Sequence, residues 1–411
     1  MENLRLKAAV FILVLSFFFF IPGQPANGAE SDQGPGVLLA TPKGEIVYAR
    51  NPNKQFIPAS TLKLITSLGA FYYLGEAFTF HTDFFLDRRK NLVIKGYGDP
   101  LLTSEVIAGL CRTLAEKLKK EKRLHLNDIV IDDSYFETDL AIPGRSGSVN
   151  PYDAPAGALC ANFNTIFFRY SPEKQQFVSG EKQTPLLDFA RETIRASGLK
   201  TGRVPLSKQA SRIYAGLLFK HFLERKGIRV TGQVKTGKTL PSTPLFFRYR
   251  SPFPLTGIVE KLLQFSNNFM ANQLLLTMGA VASGPPATLE KGVNAMNRFA
   301  VDHLKLSRTI IAEGSGLSRQ NRTTPNDMLK VLMAFQPYHR LMETKKTAQY
   351  KTGTLNGVRT RAGYFSGKKS RLYPFVIMVN GKNSGCMSIS EQLQDRVNRH
   401  KNRRENKKQG D

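Results

Sequence analysis

A serine followed three residues later by a lysine puts a hydroxyl and an amine on one face of a helix, because residues i and i+3 are neighbours only there. An amine held neutral in that position can take the hydroxyl proton and leave an oxygen able to attack a carbonyl. The chain contains five such pairs, starting at Ser60, Ser171, Ser179, Ser197 and Ser366. The same chemistry uses two further parts, a Ser-x-Asn and a Lys-Thr-Gly, later in the chain and in that order. Ser-x-Asn occurs at Ser148 and Ser266, and Lys-Thr-Gly at Lys200, Lys235 and Lys351. Each pattern is weak alone, so local context has to choose among them.

Only Ser60-Thr61-Leu62-Lys63 runs into an apolar helical stretch, Leu64 to Phe71. Ser60 is a good N-cap type, and the helix dipole there favours a developing anion. The bland reading of Ser60 is a plain helix cap. Ser171 is followed by Pro172 with no helical pattern behind it, and Ser179, Ser197 and Ser366 are each followed by glycine. Ser148-Val149-Asn150 lies in a Gly/Pro-rich loop, whereas Ser266-Asn267-Asn268 falls between two helical patterns that can hold it. Lys200 reads as a turn, and Lys235 ends a short basic strand. Lys351-Thr352-Gly353-Thr354 lies on a strand that enters a second one through the hairpin signal Asn356-Gly357. Gly353 is expected to leave room for a substrate backbone at the strand edge. Ser60, Ser266 and Lys351 are the one triple with the right order and three suitable contexts.

The elements that must position these groups come from both chain ends. Residues 36–40 and 45–49 read as a hairpin, followed by a helix over 60–74. Helices are expected near 104–120, 208–226, 255–265, 267–282 and 287–304, strands near 346–354, 358–365 and 372–380, and a last helix from about Ser388. One sheet built from both ends and covered by helices is the simplest assembly. The expected organisation is a signal peptide over 1–29, a discontinuous catalytic unit over 30–86 and 246–395, an inserted domain over 87–245, and a basic tail over 396–411.

Composition bounds the setting. Arg5 and Lys7, the apolar run Ala8 to Ile21 and the small residues Ala26 to Ala29 read as a secretory signal, with an uncleaved anchor as the alternative. The formal charge of +27 suits anionic envelope polymers or a membrane surface; no aromatic-interleaved nucleic-acid motif accompanies it, and no nucleic acid is expected. Arg396, Arg399, Lys401, Arg403, Arg404, Lys407 and Lys408 form a local basic cluster, whose bland reading is a solvated, frayed tail. The spacings of Cys111, Cys160 and Cys386 fit no metal site, and a Cys111–Cys160 bridge is left open.

With these motifs in place, the sequence resembles the class C low-molecular-weight penicillin-binding proteins, the D-alanyl-D-alanine carboxypeptidase/endopeptidases. Pro58 to Leu64, Ser266-Asn267-Asn268 and Lys351 to Leu355 are similar to the family's three motifs. Glu313-Gly314-Ser315-Gly316-Leu317-Ser318-Arg319 is similar to a family loop that usually begins with Asp. The separation of 206 positions from Ser60 to Ser266 fits the family's large insertion and excludes a compact class A β-lactamase layout, although a smaller inner domain found in some members is expected to be trimmed or missing.

The resemblance implies a mixed α/β fold, with a five-stranded antiparallel sheet flanked by helices. It implies Ser60 as nucleophile, Lys63 as base, Ser266 as proton relay and Asn268 as holder of the substrate amide. Lys351 would be the cation beside Lys63, and with Thr352 would bind the terminal carboxylate. The N–H groups of Ser60 and Thr354 would form an oxyanion hole beside Gly353. Peptidoglycan stem peptides are the implied substrate and β-lactams covalent inhibitors, in an exported enzyme without metal or cofactor. Asp132 and Arg319 resemble positions lining a pocket for a diaminopimelyl end group; the alternative is two separate surface pairs. A serine β-lactamase and a non-catalytic wall-binding scaffold are the rival readings.

Overall fold

The computed structural model describes residues 34–345, 347–367, 371–381 and 386–408. The expected signal segment 1–29 lies outside the described residues. Among the described residues, no helix is long and apolar enough to cross a membrane.

The chain opens with strands β1 (Gly36–Ala40) and β2 (Ile46–Arg50), a 3-10 turn (Ala59–Leu62) and helix α1 (Lys63–Leu74). It then runs through β3 (Thr79–Leu86), β4 (Leu92–Gly96), α2 (Ser104–Lys120), β5 (His125–Leu126), β6 (Ile129–Asp132), β7 (Thr165–Ser171), β8 (Gln176–Ser179), α3 (Ala190–Ser197), β9 (Thr201–Pro205), α4 (Lys208–Glu224), β10 (Arg229–Val230), β11 (Val234–Thr236) and β12 (Leu245–Pro254). Four helices follow, α5 (Leu255–Phe265), α6 (Asn268–Ser283), α7 (Leu289–Asp302) and α8 (Pro325–Phe335). The end is β13 (Thr344–Lys345), β14 (Ala348–Leu355), β15 (Val358–Ser366), β16 (Leu372–Asn380) and α9 (Cys386–Lys408).

The expected sheet from both chain ends is present, in the order β13-β14-β15-β16-β1-β2 with every neighbour antiparallel. It has a sixth strand, the two-residue β13. Alternation of side chains sorts its central strands into two cores. Leu38, Ala40, Ala362, Tyr364, Val376 and Met378 face α1 and α5–α8. Val37, Leu39, Phe365, Phe375 and Ile377 face the other way, against Leu393 and Val397 of α9. The basic cluster is therefore a continuation of a helix through Lys408, not a frayed tail from 396, and the Arg396 guanidinium lies 4.2 Å over the Tyr48 ring.

The second sheet runs β11-β6-β4-β3-β12, with α2 and α4 on one face. β3 and β12 belong to it, so it starts near 79 and ends near 254, wider than the 87–245 read from composition. A small sheet, β8-β7-β9, lies inside the insert and shares its core through Ile166, Phe168 and Val204. The three cysteines are free and buried, so the Cys111–Cys160 bridge does not form.

Candidate active site

The site is built where α1, α6, the Glu313–Ser318 loop and the β14 edge converge. α1 is buried from Lys63 to Phe71 and α6 from Phe269 to Ala280, so both run through the core instead of lying on it. Each presents its polar residue at its first turn. The Lys63 side chain is fully buried, and its Nζ lies 2.9 Å from Ser60 Oγ, 2.7 Å from Asn268 Oδ1 and 2.7 Å from the Ser315 carbonyl oxygen.

Ser60 does not cap α1, as the sequence suggested. It sits inside the preceding 3-10 turn, and Leu62 takes the N-cap position without a side-chain bond. Ala59 is held at φ 46, which redirects the chain so that the serine hydroxyl points toward the lysine and not along the helix start. The turn is pinned by Thr61 Oγ1 and Thr360 Oγ1, each donating at 2.7 Å to the Pro58 carbonyl. Ser266 ends α5 in a left-handed conformation (φ 51), and Asn267 caps α6 by accepting from the Met270 N–H at 3.0 Å. That sharp junction leaves Ser266 two residues before Asn268, whose side chain reaches the lysine.

Lys351 is buried on β14. The Gly353 site leaves no space for a side chain on the face that meets the nucleophile turn. A Cβ there would stand 2.8 Å from both the Pro58 oxygen and the Ser60 nitrogen, and closer still to Thr360 Oγ1. Gly353 thus lets the nucleophile turn dock on the strand. β13 pairs only with Ala348 and Gln349, so the β14 edge past those residues carries no strand partner among the described residues. Thr352 is half-buried there and Thr354 exposed.

Electrostatics work against the charged form of both lysines. Burial pushes the Lys63 pKa well below the ordinary lysine value, the Lys351 charge lowers it further, and Glu313 opposes them. Burial, then Lys345, brings Lys351 down to about 8, against Glu343. An amine with a depressed pKa is what a lysine base needs.

Asp132 and Arg319 have different partners. Asp132, 1% exposed at the end of β6, accepts from Ser134 N (3.1 Å), Ser134 Oγ (2.6 Å) and Thr239 N (2.8 Å), with Lys95 Nζ at 3.6 Å. Arg319 donates to the Asn356 carbonyl in the β14–β15 turn. The discarded motif matches Ser148, Ser171, Ser179, Ser197, Lys200 and Lys235 all fall in the insert, where Lys235 pairs with Asp128 at 2.5 Å. Sequence reasoning gave no role to the Ser315 carbonyl; a backbone oxygen has no residue-type signal, and only the Gly/Ser-rich loop around it hinted at a tight turn.

Comparison with known proteins decides the family, because the chain matches the D-Ala-D-Ala carboxypeptidase 3 (S13) family over residues 29–342. The chain belongs to that family. The S13 match spans Ser60, Lys63, Ser266, Asn268 and the Glu313 loop, and Lys351 lies beyond it. The chain is 23% identical to the D-alanyl-D-alanine carboxypeptidase DacB of Haemophilus influenzae, over 84% of each. It is 25% identical to the D-alanyl-D-alanine carboxypeptidase of an Actinomadura strain, covering 84% of this chain and 77% of the other. The crystal structure of penicillin-binding protein 4 (DacB) from Haemophilus influenzae has the same fold, with a TM-score of 0.69 and 21% identity over 90% of this chain and 96% of that one. This S13 member is a serine-type D-Ala-D-Ala carboxypeptidase.

Proposed function

We propose that Ser60 is the nucleophile, that Lys63 activates it, and that the substrate is the D-Ala-D-Ala end, or the equivalent cross-link, of a peptidoglycan stem peptide. One observation carries this: the set of three atoms around Lys63 Nζ. Two of them, Asn268 Oδ1 and the Ser315 carbonyl, can only accept. A neutral amine has two N–H groups, and these two acceptors use both. Its lone pair is then left facing Ser60 Oγ, which can donate. Burial and the Lys351 charge favour that neutral form.

The geometry around Lys63 supports the following steps. Ser60 Oγ attacks the penultimate carbonyl while its proton passes to Lys63. The developing oxyanion is met by the N–H groups of Ser60 and Thr354, where one donor is worth about 10²–10³ in rate. Ser266 passes the proton to the departing amine, the C–N bond breaks, and an ester on Ser60 remains. Water then hydrolyses the ester by the reverse proton path. Asn268 gives its oxygen to Lys63 and keeps its amide N–H groups for the substrate carbonyl. The substrate backbone adds to the open β14 edge as a strand would, and its terminal carboxylate meets the Lys351 cation and the Thr352 hydroxyl. A β-lactam would acylate Ser60 by the same route. Asp132 has no part in substrate contact in this proposal, because its carboxylate is already engaged within the insert. The reading implies an exported, extracytoplasmic enzyme, and the +27 charge suits work beside anionic envelope polymers.

A digest of purified muropeptides followed by mass spectrometry tests the substrate class. Loss of a terminal alanine from pentapeptides, or separation of cross-linked dimers, is expected with the wild type and not with Ser60→Ala. Unchanged muropeptides with both proteins would reject the proposal.

A further inference from the structure

Lys63 owes its geometry to a residue outside the three motifs. Glu313 is completely buried, and its carboxylate accepts five hydrogen bonds. Oε2 takes the N–H and the hydroxyl of Ser315, both at 2.6 Å. Oε1 takes Gly316 N at 2.6 Å, Asn321 Nδ2 at 2.9 Å and Ser318 N at 3.3 Å. All five partners are donors, as suits an ionised carboxylate. The same loop is tied to both core helices: Thr66 Oγ1 on α1 donates to the Gly314 carbonyl at 2.6 Å, and Gly314 N donates to Asn272 Oδ1 on α6 at 2.8 Å. Gly316 then lies with φ 84 against the nucleophile turn, where a Cβ would collide with the Ala59 carbonyl. Nothing in bond-making requires a carboxylate in this loop, and a buried charge is costly unless it serves something.

We propose that Glu313 is a positioning residue for acylation: it clamps the loop so that the Ser315 carbonyl faces Lys63, and it stands as the buried counter-charge to the Lys63 ammonium. The proposal rests on Lys63 being the base. The clamp fixes one of the two acceptors that occupy the amine N–H groups, and with it the direction of the lone pair. The counter-charge has a separate consequence. Glu313 and Lys351 are the charged groups that act on Lys63, and they act oppositely. Without the Glu313 charge, burial and Lys351 are unopposed, so Lys63 loses its proton at lower pH.

The test is the acylation rate constant with a fluorescent penicillin, measured across pH for the full-length wild type, Glu313→Gln, Glu313→Asp and Ser315→Ala. Acylation needs neutral Lys63, so each acid limb reports the Lys63 pKa. Glu313→Gln should lose about 10²-fold on the plateau, the scale of an ångström-sized misplacement. Its acid limb should also move down by about one pH unit or more, as expected on removing an opposite charge near a buried group. Glu313→Asp keeps the charge, so it should lose rate without moving the limb, and Ser315→Ala should do the same. A Glu313→Gln limb unmoved from wild type would overturn the proposal. If Glu313→Gln does not fold, a limb displaced in Glu313→Asp or Ser315→Ala overturns it and an unmoved one supports it. A wild type that takes no label on Ser60 would instead show that the acyl-transfer reading itself is wrong.

Discussion

The insert and the catalytic unit each bury a pair of like-charged side chains, Asp83 with Asp132 and Lys63 with Lys351, and the two pairs are held in opposite ways. In the insert, the buried carboxylates of Asp83 and Asp132 are matched to cations and donors. Burial alone would raise the Asp83 pKa, but Arg248, bidentate at 2.6 and 2.7 Å, and the Tyr97 hydroxyl hold it below the usual carboxylate value. Asp132 is likewise held low, with the hydrogen bonds from Ser134 and Thr239 outweighing burial. In the catalytic unit, two buried lysines are both pushed down, Lys63 by burial and then the Lys351 charge, and Lys351 by burial and then Lys345. Around Asp83 and Asp132 the partners favour ionisation; around Lys63 and Lys351 the surroundings favour losing a proton. The first pattern holds a fold together, and the second keeps a base available near neutral pH.

The largest expected effect breaks the site's half of that contrast. Lys63→Arg restores a permanent buried cation that cannot accept a proton, and should cut β-lactam acylation by about 10³-fold or more. Lys351→Arg changes the same charge type at the neighbouring position but keeps what that position supplies, so it should retain a measurable fraction. It should also alter the pH profile. In the wild type, activity on a carboxylate-ended peptide should rise as Lys63 loses its proton and fall as Lys351 loses its own near 8. Arginine stays protonated, so the basic limb should disappear in Lys351→Arg. Equal acylation rates for wild type and Lys63→Arg, or a basic limb that persists in Lys351→Arg, would undo these assignments.

The smaller effect sharpens the insert's half. Asp132→Ala leaves Lys95, Ser134 and Thr239 without their acceptor, and should cost about 1–3 kcal/mol of stability. Acylation by a simple penicillin should stay within about twofold, because the carboxylate touches no site residue; the free-energy equivalent is a few tenths of a kcal/mol. Chemical denaturation beside an acylation time course reads both. A large loss of acylation without loss of stability would mean that Asp132 reaches the pocket after all.

How much of this was legible in the sequence depended on how local the signal was. Ser60, Lys63, Ser266, Asn268 and Lys351 were distinguishable from their decoys because each needed a helix or hairpin that its own neighbours announce. Helices α2 and α5 fall where periodicity put them, since their apolar stripes are continuous. β3 and β12 were missed as partners because the residues they pair with, such as Asp83 and Arg248, are distant in the chain, and composition does not report pairing. The helix-cap reading of Ser60 failed for a different reason. A positive φ at Ala59, a residue type that rarely adopts it, is imposed by β14 and the Glu313 loop pressing on the turn. Glu313 drew notice only as a departure from the usual Asp of a similar loop, because the donors that give it meaning are mostly backbone N–H groups.

The central claim is that Ser60 is the nucleophile and that its reactivity comes from the neutral Lys63 beside it. Labelled penicillin followed by proteolysis and mass mapping tests it most directly. The account predicts one acylated peptide, carrying the adduct on Ser60, and no adduct in Ser60→Ala. A label that persists in Ser60→Ala, or that maps to Ser171 or any other serine, would contradict it.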